Sequence, residues 1–197
     1  MELKDLPKEI LENLPQIGDN FYLNLENYKL SDFKRIAKKY REIIENNPYK
    51  TISFVYDGKP KPAPRPRLRR GSLFTGGPLM YDPGAKDKRA LRNAIKSALP
   101  KDWKPIKGEV HIYGKFYKPI PKSYSKTDVF LCEAGIIRPE KKPDMDNYEK
   151  TLYDAANKLV FEDDCQLVTC NSDKFYSVYP RIEVTIKYRE NPIDKIK

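Results

Sequence analysis

The chain has a single histidine, His111, among its 197 residues, and that scarcity removes whole classes of chemistry. Triads built on an imidazole base and multi-histidine metal sites are both out of reach. His111 falls at a polar position of an alternating run, which reads as the surface of a strand. Cysteine is nearly as sparse. Cys132, Cys165 and Cys170 are odd in number and form no C-x-x-C pair, so neither a disulfide framework nor a structural zinc site is expected, and all three are read as reduced. No apolar run approaches the roughly 20 residues that a membrane helix needs. The phosphate cradles G-x-x-x-x-G-K-[ST] and G-x-G-x-x-G do not occur. The opening stretch MELKDLPKEILENLP mixes acids among its apolar residues and makes a poor signal peptide, so the expected location is the cytoplasm, with no membrane partner.

Charge, by contrast, is abundant. Charged residues make up 34% of the chain and the net charge is +10, which favours a polyanionic partner. The hydrophobic 39% suffices for a core. The length suits one domain with a small extension.

Residues 1–50 read as a helical N-terminal extension. Phe33, Ile36, Ala37, Tyr40 and Ile44 recur at helical spacing, Ser31 is placed to cap the start, and a shorter helix is expected after Pro7. The main domain is expected over 51–190, followed by a C-terminal tail, 191–197. Its first strand falls at 51–57, where Ile52, Phe54 and Tyr56 alternate with Thr51, Ser53 and Val55. An irregular stretch rich in Pro and Gly follows over 58–84. A helix is expected near 86–99, with Leu91, Ala94, Ile95, Ala98 and Leu99 on one face, stopped by Pro100. Val110, Ile112 and Phe116 mark a second strand, and 119–142 reads as a loop. Another helix near 147–159 and two closing strands, about 166–176 and 181–188, complete the order β-α-β-α-β-β. This order implies an α+β fold, a mixed sheet with helices packed on it.

One acidic cluster stands out in this basic chain: Asp144 and Asp146 in Pro143-Asp144-Met145-Asp146-Asn147, then Glu162-Asp163-Asp164. The helix between carries an apolar stripe of Tyr148, Leu152, Ala155, Ala156 and Leu159, and the following strand is expected to return Asp164 towards Asp144 and Asp146. Carboxylates held together repel unless they share a cation. Asp oxygens suit Mg²⁺, which completes its shell with waters and phosphate oxygens and can activate a water for attack on phosphorus. The same residues also have a structural reading. Asp146 with Glu149 resembles a helix cap and its box partner, Lys150 can pair with Asp154 one turn on, and Glu162-Asp163-Asp164 can be a solvated turn. Spacing alone favours that structural reading.

The stretch KPDMDNYEKTLYDAANKLVFEDDCQLV resembles the signature of RusA-type Holliday-junction resolvases, P-D-x-D-N-x-x-K, then D-A, then D-D-x-Q with an apolar residue. It falls on Pro143, Asp144, Asp146, Asn147 and Lys150, then Asp154-Ala155, then Asp163-Asp164 and Gln166-Leu167. Upstream, GKPKPAPRPRLRRG and Tyr81-Asp82-Pro83 are similar to the family's first strand and basic loop. The resemblance covers roughly 51–188 and departs from the family at Tyr148, Lys158 and Cys165. It implies a homodimeric, Mg²⁺-dependent endonuclease of recombination and repair, with Mn²⁺ as a substitute ion, that nicks opposed strands of a four-way DNA junction. Asp144, Asp146 and Asp164 would be its catalytic metal ligands, Asp163 a ligand or a structural neighbour, and Lys150 would stabilise charge near the scissile phosphate. Members are often carried by prophages, which is the corresponding expectation of origin.

Two basic patches suit such a substrate. Lys59, Lys61, Arg65, Arg67, Arg69 and Arg70 alternate with prolines that hold the segment extended, with no acid among them, and Arg138, Lys141 and Lys142 precede Asp144 directly. Phe74, Tyr81 and Tyr124 are candidates to stack at a junction centre, although such aromatics also serve as core. Two nicks related by two-fold symmetry call for a dimer. The competing readings are a non-catalytic branched-DNA-binding protein and a nuclease acting on flaps or other branched DNA.

Overall fold

The computed structural model describes residues 8, 16–17, 20–21, 27–65, 67–69 and 79–190. The chain divides into two compact units, one of residues 1–48 with 192–197 and one of residues 49–191.

In the first unit two short strands, β1 (Gln16–Ile17) and β2 (Asn20–Phe21), pair antiparallel, and α1 spans Leu30–Asn46. Phe33 and Ala37, four residues apart, bury one face of α1 with Tyr28 and Ile36 against them. The helix starts earlier than Ser31. Lys29 holds the cap position, and its amide donates to the Asp32 carboxylate at 2.9 Å, so an acid within the first turn does the capping. The shorter helix expected after Pro7 lies outside the described residues, apart from Lys8.

The second unit carries a four-stranded mixed sheet. Its strands are β3 (Lys50–Tyr56), β6 (Glu109–Pro119), β7 (Leu167–Ser177) and β8 (Arg181–Arg189), in the order β3-β8-β6-β7. β8 runs antiparallel to both neighbours, whereas β6 and β7 are parallel. Period-two alternation sends Val110, Ile112 and Phe116 of β6, Ile182, Val184 and Ile186 of β8, and Phe54 of β3 to one buried face. Two helices cover that face: α2 (Ala85–Ala98) through Leu91 and Ile95, and α4 (Met145–Ala156) through Tyr148, Leu152, Ala155 and Ala156. The rings of Phe116 and Tyr148 stack with centroids 5.3 Å apart, fixing the first turn of α4 over the middle of the sheet. The α+β architecture expected from the sequence is the one found.

Two stretches expected to be irregular are structured. Within 58–84, β4 (Arg67–Arg69) and β5 (Leu79–Tyr81) form an antiparallel ribbon, which needs only backbone pairing and so shows little in composition. Within 119–142, α3 spans Lys126–Glu133. Its start is fixed by a reciprocal cap: the Ser125 hydroxyl accepts from the Asp128 amide at 3.1 Å, and Asp128 accepts from the Ser125 amide at 3.0 Å. No described helix is long and apolar enough to cross a membrane.

Candidate active site

Parallel strands cannot be joined by a tight turn; the chain must first travel back along the sheet. Between β6 and β7 that return is made by α4, which therefore starts near the C-terminal ends of both strands. Lys118, late in β6, donates from Nζ to the Lys142 carbonyl at 3.0 Å, and Lys174, late in β7, donates to the Pro143 carbonyl at 3.2 Å. The two lysines clamp the segment that leads into Asp144. Burial, and then the neighbouring Lys174 cation, hold the Lys118 ammonium below its ordinary range.

Asp144 is the N-cap residue of α4 but its carboxylate makes no capping bond. Asp146 lies inside the first turn, exposed, and its only described partner is the Asn147 amide at 3.2 Å. The cap assigned to Asp146 by spacing thus belongs to its neighbour, and the capping box with Glu149 is absent. Both carboxylates thus stand exposed at the N-terminal end of α4. Lys150 follows one turn on, also exposed. Its expected partner Asp154 is taken instead by Lys88, at 3.1 Å.

The basic loop reaches this same end. The Ala63 amide donates to the Asn147 carbonyl at 2.8 Å, and Pro64 packs so closely on Gly84 that a Cβ there would come within 2.6 Å of the proline ring. These contacts hold residues 59–65 along the first turn of α4 and leave Lys59, Lys61 and Arg65 exposed, as Arg67 is. Arg69 is described in β4 by its backbone, and Arg70 and Phe74 lie outside the described residues. Lys141 and Lys142 are exposed beside Asp144. Arg138 is committed elsewhere. It donates to the Lys174 carbonyl at 2.6 Å and to Asp173 at 2.8 Å, and lies 3.8 Å over the Phe175 ring. Tyr124 packs edge-on to Tyr176 at 5.9 Å, so of the two described aromatic candidates Tyr81 is the one that stands out to solvent.

At the other end of α4, Arg92 of α2 donates to the carbonyls of Ala155 (2.9 Å) and Asn157 (2.7 Å), satisfying acceptors that the helix leaves open. Lys158 then takes a positive φ of 59°, and a single 3-10 turn, Asp164–Gln166, leads into β7. Asp163 and Gln166 build this turn. The Asp163 amide donates to Gln166 Oε1 at 2.8 Å, its carboxylate accepts from the Cys165 amide at 3.2 Å, and Gln166 Nε2 bonds the carbonyls of Ile106 and Gly108, both at 2.9 Å. Lys158 closes on Asp163 at 2.8 Å; that bond, with the Cys165 amide, holds the Asp163 carboxyl far below its ordinary range. Asp164 is left exposed, with no hydrogen bond to a described residue. The D-D-x-Q pattern therefore divides into a framework, Asp163 and Gln166, and a presented group, Asp164.

The expected return of Asp164 to Asp144 and Asp146 does not occur within the chain. The 12 residues of α4 span about 18 Å. Asp164 lies beyond its far end, beside the start of β6, because a helix crossing between parallel strands runs opposite to them. Among the described residues no three His, Cys, Asp or Glu side chains are close enough together to hold a metal ion. Asp144 and Asp146 nonetheless fit Mg²⁺ as a donor set, since that ion is commonly held by one or two carboxylates with waters and phosphate oxygens completing the shell. Reading by motif missed Lys118 and Lys174, ordinary strand lysines whose role emerges only from the pairing of β6 with β7.

His111 lies half-buried on β6, its Nδ1 2.9 Å from Thr169 Oγ1. Cys132 is buried, Cys165 and Cys170 are exposed, and all three are free thiols.

The chain is similar to the uncharacterized protein YqaN of Bacillus subtilis (strain 168), at 38% identity over 138 residues, covering 69% of this chain and 95% of that protein. The family model described as endodeoxyribonuclease RusA matches residues 57–187, a span that takes in the basic loop, both ends of α4 and all four carboxylates singled out by the motif. By that match the chain belongs to the RusA endodeoxyribonuclease family.

Proposed function

We propose that this chain is a Mg²⁺-dependent, structure-selective endonuclease that resolves four-way DNA junctions, working as a homodimer, with Mn²⁺ as a substitute ion. The observation that carries this reading is the first turn of α4: two exposed carboxylates that make no capping bond, Asp144 and Asp146, with a Lys150 one turn on that pairs with no described residue, and basic segments on either side. Asp144, Asp146 and Asp164 are the metal ligands of the proposal, and Asp163 is a structural neighbour. When bound there, Mg²⁺ would polarise the scissile phosphate and ready a water for attack. Lys150 stabilises the charge that develops on the phosphate. Lys59, Lys61, Arg65, Arg67, Arg69, Arg70, Lys141 and Lys142 hold the flanking backbone, a contact that reads shape more than sequence.

One chain cannot close the trio, because Asp164 stands at the wrong end of α4. The trio closes when Asp164 of one copy meets Asp144 and Asp146 of another. A two-fold dimer built in this way carries two sites, which is what paired nicks in opposed strands require.

The decisive experiment incubates the protein with a synthetic four-way junction, with and without Mg²⁺, and maps nicks on all four strands beside flap and linear duplex controls. Expected are symmetric nicks in two opposed strands, only with metal, and their loss in Asp146→Asn while junction binding persists. Nicking by Asp146→Asn at the wild-type rate overturns the active-site assignment. Binding without nicks under either metal makes the chain a branched-DNA-binding protein, and preference for flaps makes it a different nuclease.

A further inference from the structure

Lys88, on α2, engages two carboxylates at once. Its ammonium lies 2.5 Å from Asp82 and 3.1 Å from Asp154. Asp82 sits just ahead of α2, where its other oxygen accepts from the Gly84 amide at 2.8 Å. Asp154 sits on α4, four residues after Lys150. All three side chains are partly shielded, at 26% exposure for Lys88, 33% for Asp82 and 39% for Asp154, so their charges are less screened than at an open surface. The Lys88 ammonium and then the Gly84 amide hold the Asp82 carboxyl below its ordinary range, and the charge of Lys150 adds to that effect.

Lys150 thus has two acids within electrostatic reach, one at a helical spacing where Lys and Asp ordinarily pair. It is exposed and makes no ion pair with a described residue. Both acceptors are occupied by the same neighbour.

We propose that Lys88 is a positioning residue: by engaging Asp82 and Asp154 it leaves the Lys150 ammonium unpaired and available to the phosphate addressed by Asp144 and Asp146. This rests on the proposed function, in which Lys150 acts at the scissile phosphate. Without the Lys88 cation, Asp82 and Asp154 would face Lys150 as uncompensated charges on the flank of α4. Lys150, already in their field, would be drawn back along the helix. A pair of this exposure shifts an equilibrium by up to about fivefold, so the effect is a partial diversion of Lys150 and not a block.

The test uses the full chain and reads two quantities: single-turnover cleavage of a four-way junction at saturating protein, and the acylation rate of Lys150 by acetic anhydride, followed by mass spectrometry without DNA. Lys88→Gln is expected to slow both, cleavage by about fivefold, with metal-free junction binding little changed. Lys88→Arg, which keeps the cation, restores both. So does adding Asp82→Asn and Asp154→Asn to Lys88→Gln, which removes the competing acceptors. If Lys88→Gln alone fails to fold, that triple variant is compared with Lys88→Gln/Asp82→Asn, where the Asp154 carboxylate alone should slow acylation and cleavage again. Unchanged acylation of Lys150 in these comparisons overturns the proposal, as does a loss that the asparagines do not relieve. The acylation arm is independent of catalysis, and Asp146→Asn run alongside shows separately whether the active-site reading holds.

Discussion

Asp144 opens α4 and Asp164 follows its far end, so two carboxylates that have no hydrogen-bond partner among the described residues are separated by the full helix. Ligand bonds to Mg²⁺ are about 2.1 Å long, so one ion cannot take both from the same chain. A site shared between copies has a distinctive consequence. Asp146→Asn and Asp164→Asn proteins should each be inert, yet a mixture should cleave. In the mixed dimer the intact Asp144 and Asp146 of one copy meet Asp164 of the other. Random pairing completes about a quarter of the sites. Each mixed dimer should nick one strand without its opposed partner. Strand-resolved gels of the mixture check this, and no recovery of nicking rules out the shared site.

Asp163 should behave differently from Asp164 although the two are adjacent. Asp163→Asn removes the charge that holds Lys158 and leaves a single acceptor oxygen where Lys158 and the Cys165 amide now use two, so it should lower the melting temperature while keeping most junction cleavage. Asp164→Asn should do the reverse. The sign of the pH dependence follows from the depressed Asp163 carboxyl. A carboxyl held below its unfolded value contributes stability above that value and loses it as pH falls. The melting difference between wild type and Asp163→Asn should therefore be full at neutral pH and close below about pH 4. A gap that widened in acid would mean that Lys158 does not stabilise the ionised form.

What the sequence disclosed follows from what periodicity can encode. Leu152, Ala155 and Ala156 at helical spacing, and Val110, Ile112 and Phe116 at alternate positions, announce which face each element buries, and those elements stand where expected. α3 escaped because it buries only Cys132 and exposes Phe130, so its apolar pattern carries no helical stripe; the Ser125 and Asp128 cap was the signal to follow. The carboxylates themselves were legible as a motif. Their separation was not, since alternation reads the same in parallel and antiparallel strands, and only parallel pairing of β6 with β7 puts Asp164 at the far end. Lys88 could not be singled out for a related reason: its partners lie 6 residues before it and 66 after it, with no pattern joining them.

The position of α4 depends on packing, so a core truncation should affect the site indirectly. Leu152 is fully buried between the sheet and α2. Leu152→Ala removes apolar area and leaves a cavity, at a cost of about 2–5 kcal/mol, measurable by urea denaturation. At low temperature, where the variant remains folded, cleavage should stay measurable, because Asp144, Asp146 and Lys150 lie on the exposed side of the same helix. A loss of cleavage far beyond the folded fraction would show that the exposed face follows the packing more closely than expected.

Arg65 and Arg138, one from each basic patch, should separate in their salt dependence. Lys59, Lys61 and Arg65 are exposed on a loop pinned at Ala63, so each that meets a phosphate releases counterions on binding. Arg65→Ala should weaken junction binding at every sequence and reduce the slope of log affinity against log salt by about one. Arg138 spends its donors on the Lys174 carbonyl and Asp173 and its plane on Phe175. Arg138→Ala should therefore lower the melting temperature, since it frees one edge of β7 and unpairs an acid, and should leave the salt slope nearly as it was. Binding titrations between 50 and 200 mM salt, about the range over which such contacts are felt most, distinguish the two. An equal change of slope in both variants would place Arg138 on the DNA and make its contacts on β7 secondary.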